Sequence, residues 1–356
     1  MLGLDSGPFG RAWACPTAKS HFADFGAKGD GSTDDTQAFS KAWSEACSSS
    51  SPVSLMIPHN NKYLVKPVTF SGPCKSNVTA LISGTIIAPA EISIWGSERD
   101  HWIHFKGVQN LTLDGDGTFE GNGNIWWSNS CKLNKSLALK FEECNSLTVK
   151  NINMINSPQM HIVFLNCDSV NASHLFISAP ENSPNTDGVH VTGTTNIKIS
   201  NSTIQTGDDC ISIVSGSENV WAGNITCGPG HGISIGSLGE GNSEDKVLNV
   251  IVENITFTET MNGVRIKTWQ TSAVEVSEVL YNNIRGTSAT DVVMSFDCSA
   301  SVLCRAVVLE DIHMEYHNNK GKARTVFNNI QWSQKGEFYV GPGSGDYVPC
   351  CGRGST

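Results

Sequence analysis

The stretch ISNSTIQTGDDCISIVSGSENVWAGNITC, residues 199–227, contains two similar strand-like units. The units are headed by Asn201 and Asn224, so the pattern returns after 23 residues. Each unit alternates apolar and polar residues with period two, is rich in Ile and Thr, and is bounded by Gly, Asn or Ser. Such a unit is typical of a short β-strand, and its recurrence indicates a chain built from repeats.

Units of the same kind recur from residue 151 to residue 315. Their heads are Asn or Asp at positions 151, 171, 201, 224, 254, 283 and 311, with spacings of 20, 30, 23, 30, 29 and 28 residues. A repeat of variable length made of short strands predicts a solenoid of parallel strands, a β-helix. Leucine-rich repeats are the alternative, but their L-x-x-L-x-L skeleton is absent. The predicted fold class is therefore all-β.

One segment, DDTQAFSKAWSEACSSS, has helical rather than strand periodicity. Its residues Phe39, Trp43 and Cys47 fall on one face of a helix, and Asp34 or Asp35 can cap the start of that helix. Because the end of a solenoid exposes strand edges, we expect this helix to cover the first coil.

The repeats define one domain rather than two, because a solenoid grows along one axis. We predict a poorly ordered N-terminal segment over residues 1–20, a single β-helix catalytic domain over residues 21–345, and a C-terminal tail over residues 346–356.

Composition excludes several classes of partner. The 356 residues are 39% hydrophobic and 16% charged, with a formal net charge of -10. This acidic balance argues against nucleic-acid binding, which needs a basic face. No apolar run reaches the roughly 18 residues that a membrane span requires. An anionic substrate remains compatible with the composition, since a small basic cluster can act within a cleft.

Cysteines and glycosylation sequons favour an oxidising, secretory compartment. There are twelve cysteines and no CxxC pair, which weakens zinc-site and thioredoxin interpretations. Three pairs at short separations could close loops: Cys47 with Cys74, Cys210 with Cys227, and Cys298 with Cys304. N-x-S/T sequons occur at Asn77, Asn110, Asn134, Asn171, Asn201, Asn224 and Asn254. The first twenty residues do not have the pattern of a signal peptide, so the compartment rests on these two features.

A solenoid would bring a set of distant polar residues together. Stacked coils repeat about every 4.7–4.9 Å, so residues one coil apart in sequence become neighbours. Coil-length intervals separate the acids, an imidazole and a basic pair, which are Asp187, Asp208, Asp209, His231, Arg265 and Lys267. Taken singly, each of these residues has a more ordinary explanation as a turn residue or a surface charge, and only the spacing favours a site.

The chemistry of this set suits acid-assisted cleavage of a glycoside. Carboxylates held close together cannot all stay ionised cheaply, so one of them should have a raised pKa, as a proton donor needs. A second carboxylate can then activate water. Arg265 and Lys267, two residues apart on a strand, would face the same way and suit a substrate that carries its own carboxylate. The expected substrate is a polymer of sugar acids.

The segments SPNTDGVHVT, TGDDCISI, CGPGHGISIGSLG and GVRIKTWQ closely resemble the four signature segments of plant polygalacturonases, glycoside hydrolase family 28. The resemblance implies a right-handed parallel β-helix that hydrolyses α-1,4-linked galacturonan with inversion, without a metal or another cofactor. It assigns the general acid to Asp208 and water activation to Asp187 and Asp209. By the same resemblance, His231 tunes or orients the acid. Arg265 and Lys267 bind the galacturonate carboxylate, and Asn185 supports the site.

The chain departs from the family pattern after Gln270. In the family a glycine-rich turn and a further coil with a substrate-binding tyrosine follow this position, so about one repeat, roughly 30–40 residues, is missing by resemblance. Tyr281 belongs to a later strand and does not replace that tyrosine. A solenoid can lose one repeat and still stack, because each repeat contacts only its neighbours. We therefore predict that the coil with Val274 and Val276 packs directly on the coil with Arg265.

Three functions follow from the sequence as hypotheses. The first is a secreted, monomeric polygalacturonase that acts on pectin in the cell wall, with no nucleic-acid or membrane partner. The second is a catalytically weak or inactive wall-binding member of the family, because a substrate-binding coil is missing. The third is a pectin lyase, which the residues disfavour because a lyase needs calcium and a basic residue that abstracts a proton, and no calcium cage is evident.

Overall fold

A computed structural model describes residues 18–95, 100–128, 137–269, 273–316 and 322–342. Within these ranges the strands form two long sheets in which every assigned strand pairing is parallel. We call the ten-stranded sheet the front sheet and the eighteen-stranded sheet the back sheet. The chain passes from one to the other in each coil, so the predicted parallel β-helix is confirmed.

The front sheet contains the strands that carry the candidate site. Its strands are Val68–Ser71, His101–Lys106, Leu137–Glu142, Ile162–Leu165, Val189–Thr192, Asp209–Ile213, Gly232–Leu238, Val264–Thr268, Val292–Asp297 and Arg324–Asn328.

The back sheet forms the other walls of the coil. Its strands are Ala18–His21, Asp30–Asp34, Val53–Ile57, Lys62–Leu64, Val78–Ile82, Thr85–Ile87, Leu111–Asp114, Thr118–Glu120, Asn145–Lys150, Asn153–Ile155, Asp168–Ser173, Phe176–Ser178, Thr195–Gln205, Ser217–Cys227, Lys246–Thr260, Glu275–Ser288, Cys304–Tyr316 and Ile330–Pro342. The helices are the α-helices Thr36–Ser48 and Asn124–Trp127 and the 3-10 helices Phe22–Phe25, Ile92–Trp95 and Glu240–Asn242.

Inside the coil, side chains of the same register stack on one another. Phe105, Phe141 and Phe164 are paired in register on three successive front-sheet strands. Their ring centroids are 5.4 Å apart at each step, with nearly parallel planes. Phe141 is fully buried between the other two rings. The hydrophobic core is therefore a continuous column rather than a central cluster, and each coil contributes one layer to it.

Asparagines form the bends within the back-sheet strands. Positive φ angles are found at the predicted unit heads Asn151, Asn201, Asn224, Asn254, Asn283 and Asp311. Asn and Asp tolerate this left-handed conformation better than most residues. The side-chain amides of these asparagines also form hydrogen bonds between successive coils. Asn224 Nδ2 donates to Asn201 Oδ1 at 3.2 Å, and Asn283 Nδ2 donates to Asn254 Oδ1 at 2.7 Å.

The predicted unit head Asn171 does not occupy a bend. Asn171 lies inside the strand Asp168–Ser173, and the bend falls at His174, which has φ 54°. Ser173 pairs with Ser200, so His174 stands beside Asn201 in the next coil. A head list restricted to Asn and Asp could not find a bend occupied by His.

The α-helix Thr36–Ser48 covers the first coil as predicted. Phe39 stacks on Phe22 at 4.1 Å, and Trp43 Nε1 donates to the carbonyl of Ser71 at 3.0 Å. Of the two predicted capping residues, Asp34 accepts a hydrogen bond from the first helical amide, that of Thr36. The carboxylate of Asp35 instead accepts hydrogen bonds from the amides of Lys28 and Gly29.

The three suggested cysteine pairs are all disulfide-bonded: Cys47–Cys74, Cys210–Cys227 and Cys298–Cys304. The first described strand, Ala18–His21, pairs with Val53–Ile57, so the fold begins within the segment predicted to be poorly ordered. The predicted tail over residues 346–356 lies outside the described residues. No helix in the described ranges is long and apolar enough to cross a membrane.

The coil that follows the departure from the family pattern stacks as predicted. Gln270 itself lies outside the described residues. On the back sheet Val276 pairs with Val247, and on the front sheet Arg265 pairs with Ser295. Val274 and Val276 are both buried. The coil with Val276 therefore packs directly on the coil with Arg265.

We expect Phe141→Ala to lower the free energy of unfolding by about 3–5 kcal/mol, because it leaves a cavity in the middle of the aromatic column. The matched control is Phe176→Ala, since Phe176 lies on the back sheet with 41% of its surface exposed. Chemical denaturation followed by tryptophan fluorescence measures both changes. Equal losses of stability in the two variants would contradict a core that depends on the column.

Candidate active site

The structure brings six of the sequence-predicted residues together on the outer face of the front sheet. Asp187 stands two residues before the strand Val189–Thr192, and Asp209 begins the next strand of that sheet. His231 immediately precedes Gly232–Leu238, and Val264–Thr268 carries Arg265 and Lys267 on one face. Asp208 directly precedes Asp209 and contacts His231.

A bulge presents both Asp208 and Asp209 on the outer face of the front sheet. The pairing of Asp209–Ile213 with the next strand shifts register between Asp209 and Ile211. As a result Cys210 and Ile211 are both fully buried, although strict alternation would bury only one of them. Cys210 is held inside by its disulfide with Cys227. The bulge thus turns Asp209 outward beside Asp208.

His231 is placed by the glycines on either side of it. Gly230 and Gly232 have φ angles of 129° and 86°, which most residues adopt only under strain. A Cβ atom on Gly232 would collide with the carbonyl oxygens of Asn262 and Gly263. The tight backbone approach allows the imidazole to reach Asp208 on the preceding coil.

Asp208 and His231 form a hydrogen-bonded pair, with 2.9 Å between Asp208 Oδ1 and His231 Nδ1. Burial alone would raise the pKa of Asp208, but the hydrogen bond and charge of His231 outweigh it and hold that pKa below its usual value. The hydrogen bond to Asp208 in turn raises the pKa of His231. The pair therefore retains a proton, on one partner or the other, to a higher pH than an isolated aspartate would.

Asp209 is the most enclosed of the three acids, with 3% of its surface exposed. Arg265 Nη2 lies 2.7 Å from its Oδ1, and Lys267 Nζ lies 3.6 Å from its Oδ2. Burial raises the pKa of Asp209 in spite of these two cations, and the neighbouring carboxylates raise it further. The predicted raised pKa thus exists, but it belongs to Asp209 and not to Asp208, the acid that the family pattern implies.

Two serines link the acids to other parts of the front sheet. Ser234 donates to Asp209 Oδ1 at 2.7 Å, and Arg265 Nε donates to the Ser234 hydroxyl at 3.1 Å. Ser212 donates to Asp187 Oδ2 at 2.6 Å. Neither serine is among the residues predicted from the sequence. They occupy the same position in the similar runs CISI and GISI, and this repetition was the available signal.

Asn185 lies in the turn before Asp187 and has a φ of 55°. This conformation suits asparagine and lets the chain reverse into the strand Val189–Thr192. Its predicted supporting role remains a prediction.

One cluster of the described residues has the donor atoms of a metal site. One ligand atom from each of Asp208, Asp209 and His231 lies within 4.8 Å of the others. Nδ1 of His231 is already engaged with Asp208, and Asp209 is already engaged with two cations. The donor set is therefore compensated by protein charges, which suits proton transfer better than metal binding.

Comparison with known proteins places this arrangement in a family. The family model described as "Glycosyl hydrolases family 28" matches residues 47–285 and 270–335. A polygalacturonase of Malus domestica is 48% identical, covering 88% of this chain and 76% of its own length. Polygalacturonase-2 of Solanum lycopersicum is 47% identical, covering 86% and 78%. The Malus alignment extends over 361 positions, more than the whole 356-residue chain, so the relative contains internal residues that this chain lacks.

Solved structures share the fold. An endo-xylogalacturonan hydrolase from Aspergillus tubingensis superimposes with a TM-score of 0.74 at 21% identity, covering 89% of this chain and 91% of its own. Endopolygalacturonase I from Stereum purpureum, complexed with two galacturonate, gives a TM-score of 0.58 at 20% identity, with coverages of 85% and 98%. Sequence and fold agree, and the chain belongs to glycosyl hydrolase family 28.

Proposed function

We propose that this chain hydrolyses α-1,4-galacturonosidic bonds in pectin and polygalacturonate with inversion. The observation that carries the proposal is the grouping of three carboxylates with an imidazole and two cations on one face of a family 28 β-helix. Polygalacturonases that are nearly half identical to this chain support the same substrate.

The proton donor in this proposal is the Asp208–His231 pair. A carboxylate with a lowered pKa is a poor reservoir on its own, because it gives up its proton before the substrate arrives. His231 compensates by holding the proton 2.9 Å away, on the other side of the same hydrogen bond. As the glycosidic bond breaks, the one proton of the pair moves from His231 to Asp208 and from Asp208 to the leaving oxygen, which leaves His231 neutral and Asp208 ionised.

Asp187 and Asp209 activate the water in this proposal. A raised pKa makes Asp209 a stronger base, and Arg265 together with Lys267 favours its ionised form. Asp187 is oriented by the hydroxyl of Ser212. Attack by a water from the side opposite the leaving oxygen gives inversion.

Arg265 and Lys267 serve the substrate as well as Asp209. In a chain of galacturonate residues every sugar carries a carboxylate, and a cationic pair at the point of cleavage selects for it. Lys267 has 30% of its side chain exposed and approaches Asp209 to 3.6 Å, so it is the freer of the two cations. We assign the recognition of the sugar carboxylate mainly to Lys267, with Arg265 holding Asp209.

The setting of this activity is the plant cell wall. The named relatives are plant proteins, and the three disulfides suit a chain that folds in an oxidising compartment. We propose that the protein is secreted and acts as a monomer. A wall-binding protein without activity is the second candidate, because the Malus relative contains internal residues that this chain lacks.

We expect Asp208→Asn to lower the rate of hydrolysis of polygalacturonate about 100- to 10,000-fold, the usual contribution of a general acid. The assay counts new reducing ends and follows ultraviolet absorbance, which distinguishes hydrolysis from elimination. Asp168→Asn, on the back sheet, is the matched control and should retain full activity. Reducing ends produced at the normal rate by Asp208→Asn would exclude this acid, and binding of the substrate by the wild-type chain without any product would favour the wall-binding protein.

We expect His231→Gln to lower the free energy of unfolding most between about pH 4 and pH 6.5. The raised pKa of His231 contributes stability that is complete below its ordinary value and is lost as pH rises through the raised value. The lowered pKa of Asp208 contributes stability that is complete above its ordinary value and is lost as pH falls through the lowered value. Denaturation across pH measures the difference from wild type. A difference that does not vary with pH would contradict the pairing, and His59→Gln on the exposed surface is the control.

We expect Lys267→Met to raise KM for polygalacturonate about 10- to 100-fold, because a hydrogen-bonded charge to the sugar carboxylate is lost. Lys150→Met is the matched control, since Lys150 pairs with Asp114 on the back sheet at 3.1 Å. Steady-state kinetics separate KM from kcat. An unchanged KM for Lys267→Met would remove this residue from the recognition of the substrate.

A further inference from the structure

We propose that His190 is a positioning residue that acts on Asp187 through the hydroxyl of Ser212. The inference rests on the proposed function, in which Asp187 helps to activate water. The three side chains form a continuous chain of hydrogen bonds that ends at the Asp187 carboxylate. We call this chain the serine relay.

The direction of the serine relay follows from its distances. His190 Nδ1 lies 2.7 Å from Ser212 Oγ, and Ser212 Oγ lies 2.6 Å from Asp187 Oδ2. A serine hydroxyl has one proton to donate. Ser212 gives that proton to the carboxylate, which can only accept, so Nδ1 of His190 must carry a proton and donate it to Ser212.

The serine relay connects two side chains that do not hydrogen-bond to each other directly, His190 and Asp187. His190 Nδ1 is 3.9 Å from Asp187 Oδ2, too far for a direct hydrogen bond. Ser212 has 2% of its surface exposed and Asp187 has 7%, so water has little room to replace the hydroxyl. Within the described ranges, Ser212 is the residue whose hydroxyl donates to this carboxylate.

A second unit of a nitrogen donor, a serine and an aspartate lies beside the first, with its serine and its aspartate each one coil further along. Arg265 Nε donates to Ser234, and Ser234 donates to Asp209. The four outward positions His190, Ser212, Ser234 and Arg265 are paired in register on successive front-sheet strands. Each of the two carboxylates assigned to water activation therefore accepts a hydrogen bond from a serine. Each serine accepts one from a nitrogen donor, with His190 at one end of the column and Arg265 at the other.

The two units differ in what the nitrogen donor adds. Arg265 also reaches Asp209 directly, so it supplies charge as well as orientation. His190 makes no direct hydrogen bond to Asp187 and acts through the Ser212 hydroxyl, so this unit supplies orientation. We infer that the serine relay sets the direction of the Asp187 lone pairs, and that its loss slows the chemical step without weakening substrate binding.

Steady-state kinetics on polygalacturonate test the serine relay. For Ser212→Ala and for His190→Val we expect kcat to fall about 10- to 100-fold, the effect of losing a hydrogen bond to a charged group, with KM within about twofold of wild type. His190→Asn should retain most of kcat, because the Asn amide nitrogen can donate from nearly the position of Nδ1. Unchanged kcat in Ser212→Ala, or an equal loss in His190→Asn and His190→Val, would overturn the proposal.

The control for a purely structural effect is Ser202→Ala. Ser202 is a buried serine of the back sheet whose hydroxyl accepts a hydrogen bond from the Leu175 amide and donates to the carbonyl of Ser200. We expect this variant to lose thermal stability while it keeps kcat. A loss of kcat in Ser202→Ala that matches its loss of stability would mean that any buried serine produces the effect.

A spectroscopic measurement tests the serine relay independently of activity. Nitrogen-15 spectra of the histidine rings should show a proton on His190 Nδ1 in the wild-type chain, and the resonance should shift in Ser212→Ala. An unprotonated Nδ1 would overturn the proposal even in an active enzyme. If wild type releases no reducing ends, the proposed function fails, and this spectrum still decides whether the relay exists.

Discussion

The in-register pairing of parallel coils is the constraint on which the rest of the structure depends. Each coil is hydrogen-bonded to the next through its backbone. The neighbours of a side chain in adjacent coils are therefore the residues at the same register position. The inner columns become stacks such as Phe105, Phe141 and Phe164. The outer columns align residues far apart in sequence, and the column from His190 to Arg265 runs through the candidate site.

Within that frame the acids depend on compensation. Three carboxylates stand close together on a chain that is already acidic, and burial disfavours their charges. Each carboxylate is compensated by a different partner. His231 shares a proton with Asp208, and Arg265 and Lys267 neutralise the charge of Asp209. Ser212 donates a hydrogen bond to Asp187. These different partners give the three carboxylates different chemical properties, although their side chains are identical.

The sequence predicted the fold class and the capping helix, suggested three cysteine pairs, and indicated which polar residues the coils would bring together, because all of these depend on spacing or periodicity. It could not predict the bulge at Cys210, since alternation alone would have turned Asp209 inward. It could not locate the bend at His174, because the left-handed conformation there does not require Asn or Asp. It also predicted that one carboxylate has a raised pKa but could not say which, because the pairing of Asp208 with His231 is a matter of geometry at 2.9 Å.

The disulfide between Cys210 and Cys227 has a consequence for the biogenesis of the protein. It holds Cys210 in the interior and so keeps the bulge that turns Asp209 toward the cleft. A disulfide persists only where the surroundings are oxidising. A chain whose Cys210 and Cys227 are still thiols therefore lacks this covalent restraint beside Asp209 and relies on strand pairing alone to hold the bulge.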